Sequence, residues 1–192
     1  MQLDDNAFFE PFEYAHKEPI LFFGGKSTFG YGSTFAQAMY SQIVARNLNR
    51  DFFNLSIDSF DSYYANEIVK ASAKLNPAYL VSEITSASLS VAYCKNNMDY
   101  YLKTLASLEV PVILLSQPFW GDISNGYEEK RKLLIDGLQK LEEQDYKVFH
   151  IDGAKIFKKY SYDCYSYSLC YVNDFANYIV ASEISNLLYS LS

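Results

Sequence analysis

The sequence predicts a three-layer α/β/α fold around a mostly parallel, five-stranded sheet, and three observations carry that prediction. Strand-length apolar runs alternate with helix-length amphipathic stretches from Ile20 to the end of the chain. Regular β-α alternation implies a parallel sheet covered on both faces, because each right-handed crossover lays its helix back on the sheet. The strongest run, Val110 to Leu115 around Pro111, is apolar throughout, as suits a strand buried on both faces. A length of 192 residues fits one domain over 1–192 that begins with an irregular arm over 1–18.

The elements follow in order. Ile20 to Phe23 is a first strand ending in Gly24-Gly25, after which Ser33 or Thr34 can cap a helix with Ala36, Met39, Tyr40, Ile43 and Leu48 inward. Phe52 to Ile57 reads as the second strand. Asp61 or Ser62 then caps a helix carrying Tyr64, Ile68, Ala71 and Leu75, which Pro77 stops. Tyr79 to Ile84 is the third strand, followed by a helix with Met98, Tyr101, Leu102, Leu105 and Leu108 at helical spacing. Beyond the fourth strand, the loop Ser116 to Gly126 holds Pro118, Trp120 and Gly121. A helix from Glu128 to Gln144 with Leu134, Leu138 and Leu141 leads into a fifth strand, Lys147 to Ile151. The last helix runs from Asp174 to Tyr189, with Ala176, Val180, Ile184, Leu187 and Leu191 inward.

Composition removes several function classes. Sixteen Lys and Arg against 23 Asp and Glu leave a formal charge of −7, which disfavours nucleic acid and anionic membrane as partners. With 49% hydrophobic and 20% charged residues the chain is not of the disordered class. Cys94, Cys164 and Cys170 form no CxxC pair and are odd in number, which argues against a disulfide framework and against a zinc site. No metal and no cofactor are expected, and a reducing compartment suits the thiols. Met1 to Glu10 carries three acidic residues and no basic one, the reverse of a signal peptide, so a cytoplasmic location is expected.

In parallel sheets, ligands bind beyond the carboxyl ends of the strands, near the point where strand order reverses. The turns predicted there are Gly24-Gly25-Lys26-Ser27-Thr28, Ser56-Ile57-Asp58-Ser59, Thr85-Ser86-Ala87-Ser88, Ser116-Gln117-Pro118 and Asp152-Gly153, all rich in small or hydroxyl side chains. Turn and capping preferences alone favour such residues. The first turn ends like a phosphate-binding loop, but the glycine that pattern requires at position 20 is Ile20. Lys26 near a helix start remains a candidate for one anionic group. Glu83, close to the carboxyl end of an otherwise apolar strand, is a candidate buried carboxylate of raised pKa or a partner for Lys26.

Leu21-Phe22-Phe23-Gly24-Gly25-Lys26-Ser27-Thr28-Phe29-Gly30 resembles the first block of the SGNH/GDSL hydrolases, with Ser27 matching the nucleophile and Lys26 replacing the usual acidic residue. Asn54-Leu55-Ser56 is similar to the second block, with Ser56 at the glycine whose amide helps form the oxyanion hole. The strands Pro111 to Pro118 and Val148 to Asp152 also follow the family order. The third block lacks its Asn, since Glu83 to Ser88 holds neither Asn nor Gly. In the fifth block Ser168 stands for the Asp and Tyr171 for the His, while Asn173 matches the family Asn. The resemblance implies an SGNH/flavodoxin-like fold and a serine ester hydrolase or acyl transferase acting on a small acyl ester, such as an O-acylated carbohydrate. Ser27 would be the nucleophile, and Gly25, Lys26, Ser56 and Ser86 would surround the oxyanion.

A serine needs a base to take its proton. His16 and His150 are the two histidines, the first in the arm and the second inside a strand, and both suit packing or surface roles. Asp58, Asp163 and Asp174 are the carboxylate candidates, and a Lys26 made neutral by burial is another. Trp120 and Tyr171 would wall the ligand pocket, and the run Tyr160, Tyr162, Tyr165, Tyr167, Tyr171 can stack on sugar rings or simply pack. Two alternatives stand beside the hydrolase: a catalytically inactive binding protein for a carbohydrate or anionic ligand, and a phosphate-ligand enzyme using Lys26.

Overall fold

The computed structural model describes residues 18–56, 65–85, 94–117, 127–142, 144, 146–160, 164 and 172–191. Five parallel strands form one sheet: β1 (Ile20–Phe23), β2 (Phe52–Asn54), β3 (Tyr79–Thr85), β4 (Val112–Gln117) and β5 (Val148–Asp152), in the order β2-β1-β3-β4-β5. The three-layer fold read from the sequence is the fold observed. The register places Ile20 beside Phe52 and Tyr79, Leu80 beside Val112, and Val112 beside Val148. The chain leaves β1 in one direction to make β2 and returns past it to make β3. Strand order therefore reverses between β1 and β3.

That reversal decides which helices cover which face, since right-handed crossovers travelling in opposite directions lie on opposite sides of the sheet. Helices α3 (Ala65–Leu75), α4 (Cys94–Ala106) and α5 (Tyr127–Glu142) pack on the face built from Leu21, Phe23, Leu80, Ile84, Val112, Leu114 and Val148. Helices α2 (Tyr40–Leu48), α6 (Gly153–Tyr160) and α7 (Asp174–Leu191) cover the face of Ile20, Phe22, Tyr79, Val81, Ile113, Leu115 and Ile151. Successive strand residues alternate between the two cores, so β1, β3 and β4 are apolar on both sides.

The structure departs from the sequence expectations at several places, among them β2, which ends at Asn54 where a strand through Ile57 was expected. The first helix after β1 does not start at Ser33 or Thr34: residues Lys26–Phe29 form a four-residue helix α1, Ala36–Ala38 a 3-10 turn, and α2 begins at Tyr40. Ser33 and Thr34 are engaged with α7 instead, Ser33 Oγ accepting from Asn177 Nδ2 at 3.0 Å and Thr34 N donating to Asp174 Oδ1 at 3.0 Å. Strand β4 starts after Pro111 rather than at Val110, because proline has no N–H to give the ladder. Helix α6 was not expected at all. Asp152 starts it by accepting Lys155 N at 3.2 Å, and Phe157 is its buried anchor. The proposed caps Asp61 and Ser62 and the residue Tyr64 lie outside the described residues.

Leu114 is wholly buried on the central strand β4. Leu114→Ala is expected to cost about 2–5 kcal/mol, read as a lowered urea midpoint with an unchanged slope.

Candidate functional site

The site is built at the crevice between β1 and β3. β1 passes into Gly24-Gly25 and the short helix α1, which stops at Gly30 in the left-handed conformation (φ 105°). Gly30 N–H closes that turn by donating to the Lys26 and Ser27 carbonyls, each at 3.1 Å. Gly24 has no room for a side chain: a Cβ there would lie 2.7 Å from Glu83 Cβ and closer still to Thr28 Oγ1. The turn thus lies directly on β3.

Glu83 is fully buried, and its carboxyl is met by the turn. Oε2 accepts the Thr28 backbone N–H at 2.8 Å and the Thr28 hydroxyl as well. Tyr40, also fully buried, places its hydroxyl 2.6 Å from Thr28 Oγ1, so a chain of hydroxyls runs from α2 to the carboxyl. Burial pushes the Glu83 pKa above the usual carboxylate range. The Thr28 bonds and the nearby Ser27 hydroxyl pull it part of the way back. Oε1 has no hydrogen-bond partner among the described residues. Burial and the Glu83 charge together raise the Tyr40 pKa. Asn54, at the end of β2, fastens the turn from the other side, donating from Nδ2 to the Thr28 carbonyl at 2.7 Å.

No family model matches the sequence, and no curated protein matches it. Solved structures do match in fold. A salicylyl-acyltransferase from a tetracycline biosynthetic pathway superposes with a TM-score of 0.69 at 14% identity, over 91% of this chain and 56% of that one. A two-domain esterase active on acetylated mannans, bound to mannopentaose, gives 0.66 at 17% identity, over 91% and 50%. A member of the lipolytic protein G-D-S-L family from Veillonella parvula DSM 2008 gives 0.68 at 14%, over 86% and 95%. The chain has the SGNH/GDSL fold. It spans about half the length of the first two of these structures.

Within the SGNH fold the expected site residues are distributed unevenly. Gly25 precedes α1, Lys26 opens it half-buried, and Ser27 follows at 3% exposure, turned toward Glu83. Lys26 Nζ lies 5.7 Å from the centre of the Tyr31 ring. Ser56 follows β2, and its N–H donates to Asn54 Oδ1 at 3.2 Å within its own turn. Asp174 opens α7 and gives both carboxylate oxygens to Thr34, at 3.0 and 2.5 Å. Asn173, matched to the family Asn, accepts Ala176 N at 3.0 Å and so caps that helix. Asp58, Ser86, Trp120, Asp163, Tyr171 and His16 lie outside the described residues. His150 is on β5, with Nε2 2.9 Å from Ser116 Oγ. Among the described residues no group of three His, Cys, Asp or Glu side chains could hold a metal ion, and no helix is long and apolar enough to cross a membrane.

Thr28, Asn54 and Tyr40 were not chosen as site residues from the sequence. Glu83 was legible as a charge in an apolar strand, but its partners come from α1, which Tyr40 of α2 and Asn54 of β2 brace in turn.

Because the neutral form of Glu83 is favoured in the folded state, its contribution to stability is complete below the unfolded value of about 4.5 and is lost as pH rises through the raised folded value. Unfolding midpoints measured across that window should fall for the native chain and stay flat for Glu83→Gln. Parallel curves would contradict the buried, raised carboxyl.

Proposed function

We propose that this chain is an ester hydrolase or acyl transferase acting on a small acyl ester, with Ser27 as nucleophile and Glu83 as its base. The carrying observation is the Ser27 hydroxyl beside a fully buried carboxyl at the strand-order reversal. A carboxylate of raised pKa is a stronger base than an exposed one, so burial supplies part of what an imidazole would provide. Ser27 Oγ would bond to the acyl carbon as its proton passes to Glu83. The alcohol would then leave with that proton, and water or an acceptor alcohol would release the acyl group. The Gly25 and Ser56 amides are the proposed oxyanion donors, Ser56 exchanging its bond to Asn54 for one to the substrate. Similarity in fold to a salicylyl-acyltransferase and to an esterase active on acetylated mannans supports the acyl-ester class, and the second supports an O-acylated carbohydrate as substrate.

A second reading is a non-catalytic SGNH-fold protein that binds a carbohydrate or anionic ligand. Lys26 rather than Ser27 is the more exposed side chain at the head of α1, and the histidine among the described residues is bonded elsewhere. The phosphate-enzyme reading draws less support, since α1 has only four residues and a correspondingly weak helix dipole.

Short aryl esters, scored by hydrolysis rate, test the choice. Ser27→Ala should abolish the turnover carried by Ser27, and Glu83→Gln should lower that same share by about 10²–10⁴-fold. The native rate should rise with pH through a value above the ordinary carboxylate range. A folded native chain with no turnover and no fluorophosphonate adduct on Ser27 would leave the binding reading.

A further inference from the structure

The serine–imidazole hydrogen bond between Ser116 and His150 belongs to no part of the Ser27 site. Parallel pairing places Leu114 beside His150 and Ser116 beside Asp152. With the two-residue alternation of strands, Ser116, His150 and Asp152 share the face on which Leu114 and Val148 are buried. Glu83 follows Val81 onto the opposite face, so the two clusters are separated by the sheet itself. Ser116 Oγ stands 2.9 Å from His150 Nε2, the distance at which a serine can hand its proton to an imidazole.

Asp152 follows His150 by two residues on the same face of β5. Arg131 of α5 grips Oδ2 through Nη2 at 2.5 Å and Nε at 3.0 Å, and Lys155 N binds Oδ1 at 3.2 Å. Burial by itself would raise this carboxyl, but the Arg131 and Lys155 hydrogen bonds and the positive charges of Arg131 and His150 outweigh it and hold the pKa below the usual range. Asp152 and His150 interact by charge on one face of β5, so an imidazolium formed by taking a serine proton would have a carboxylate near it. β5 is an edge strand, Ser116 and Asp152 sit at the carboxyl ends of their strands with His150 one step before on the same face, and both Arg131 and Asp152 keep partial exposure, with side chains at 27% and 13%.

We propose that Ser116 is a second reactive serine, with His150 as its base and Asp152 as the charge that stabilises the imidazolium, and that it takes an acyl ester. Ser116 Oγ bonds to the acyl carbon while its proton moves to His150 Nε2. The ester C–O bond breaks, and the alcohol departs with that proton. Water then attacks the acyl-serine and gives a proton to His150, which returns it to Ser116 Oγ as the carboxylic acid leaves. None of these steps depends on the Ser27 reading.

A fluorophosphonate probe applied to the full chain, followed by tryptic mass mapping, separates the two serines, because Ser27 falls in the peptide 27–46 and Ser116 in 104–130. The proposal expects an adduct on Ser116 that persists in Ser27→Ala, disappears in Ser116→Ala, and forms at least about 100-fold more slowly in His150→Gln. Mapping on the native chain gives an answer even where a variant fails to fold. An adduct on Ser27 alone overturns this proposal and leaves the first reading standing. No adduct on either serine overturns both, and an adduct on Ser116 that forms at the native rate in His150→Gln overturns the role of the imidazole.

Discussion

The burial of one carboxyl group governs the candidate site. Glu83 is out of contact with water, so its carboxyl must be neutral or be met by donors, and a buried charge left unmet costs several kcal/mol. The donors come from the turn after β1: the Thr28 N–H and hydroxyl close on Oε2, and the Tyr40 hydroxyl backs the Thr28 hydroxyl. Gly24 must lack a side chain for this contact to form. Asn54 reaches the same turn from β2. Residues 24–28 are therefore held by three strands and α2, which places Ser27 and Lys26 at the head of α1.

The order of the strands explains why this contact is available. β3 lies on the far side of β1 from β2, so the carboxyl ends of β1 and β3 are neighbours from which the following chain segments lead apart. Such a division leaves space above two adjacent strands, the general reason why parallel sheets bind ligands there. The fourth and fifth strands present a separate geometry. Their register aligns Ser116 with Asp152 and brings His150 onto the same face, where α5 supplies Arg131. One sheet thus carries two clusters of polar groups near its carboxyl edge, on opposite faces and set by the same alternation of side chains.

The carboxyl-edge loops are also tied across the second layer. Thr34 and Ser33 read in sequence as helix caps, and their side chains are polar enough for that role. In the fold they bind Asp174 and Asn177 at the start of α7, joining the segment after α1 to the last helix. Asp174, a candidate base from its position near the family's fifth block, has both oxygens committed to this link. A side chain that suits a local role was here taken up by a partner 140 residues away.

The sequence by itself determined the layers, the strands and most of the helices, because period-two and period-3.6 patterns report burial directly and burial dominates the folding free energy. It also showed the turn at Gly24 to Thr28 and the odd charge at Glu83. Tertiary structure alone decided that Glu83 meets Thr28, that Ser27 turns inward beside it while Lys26 stays more exposed, and that His150 belongs to Ser116. Those pairings join residues 55 and 34 positions apart, through strand order and register. Local periodicity specifies which face of a strand is buried, but which strands become neighbours depends on the packing of the whole chain.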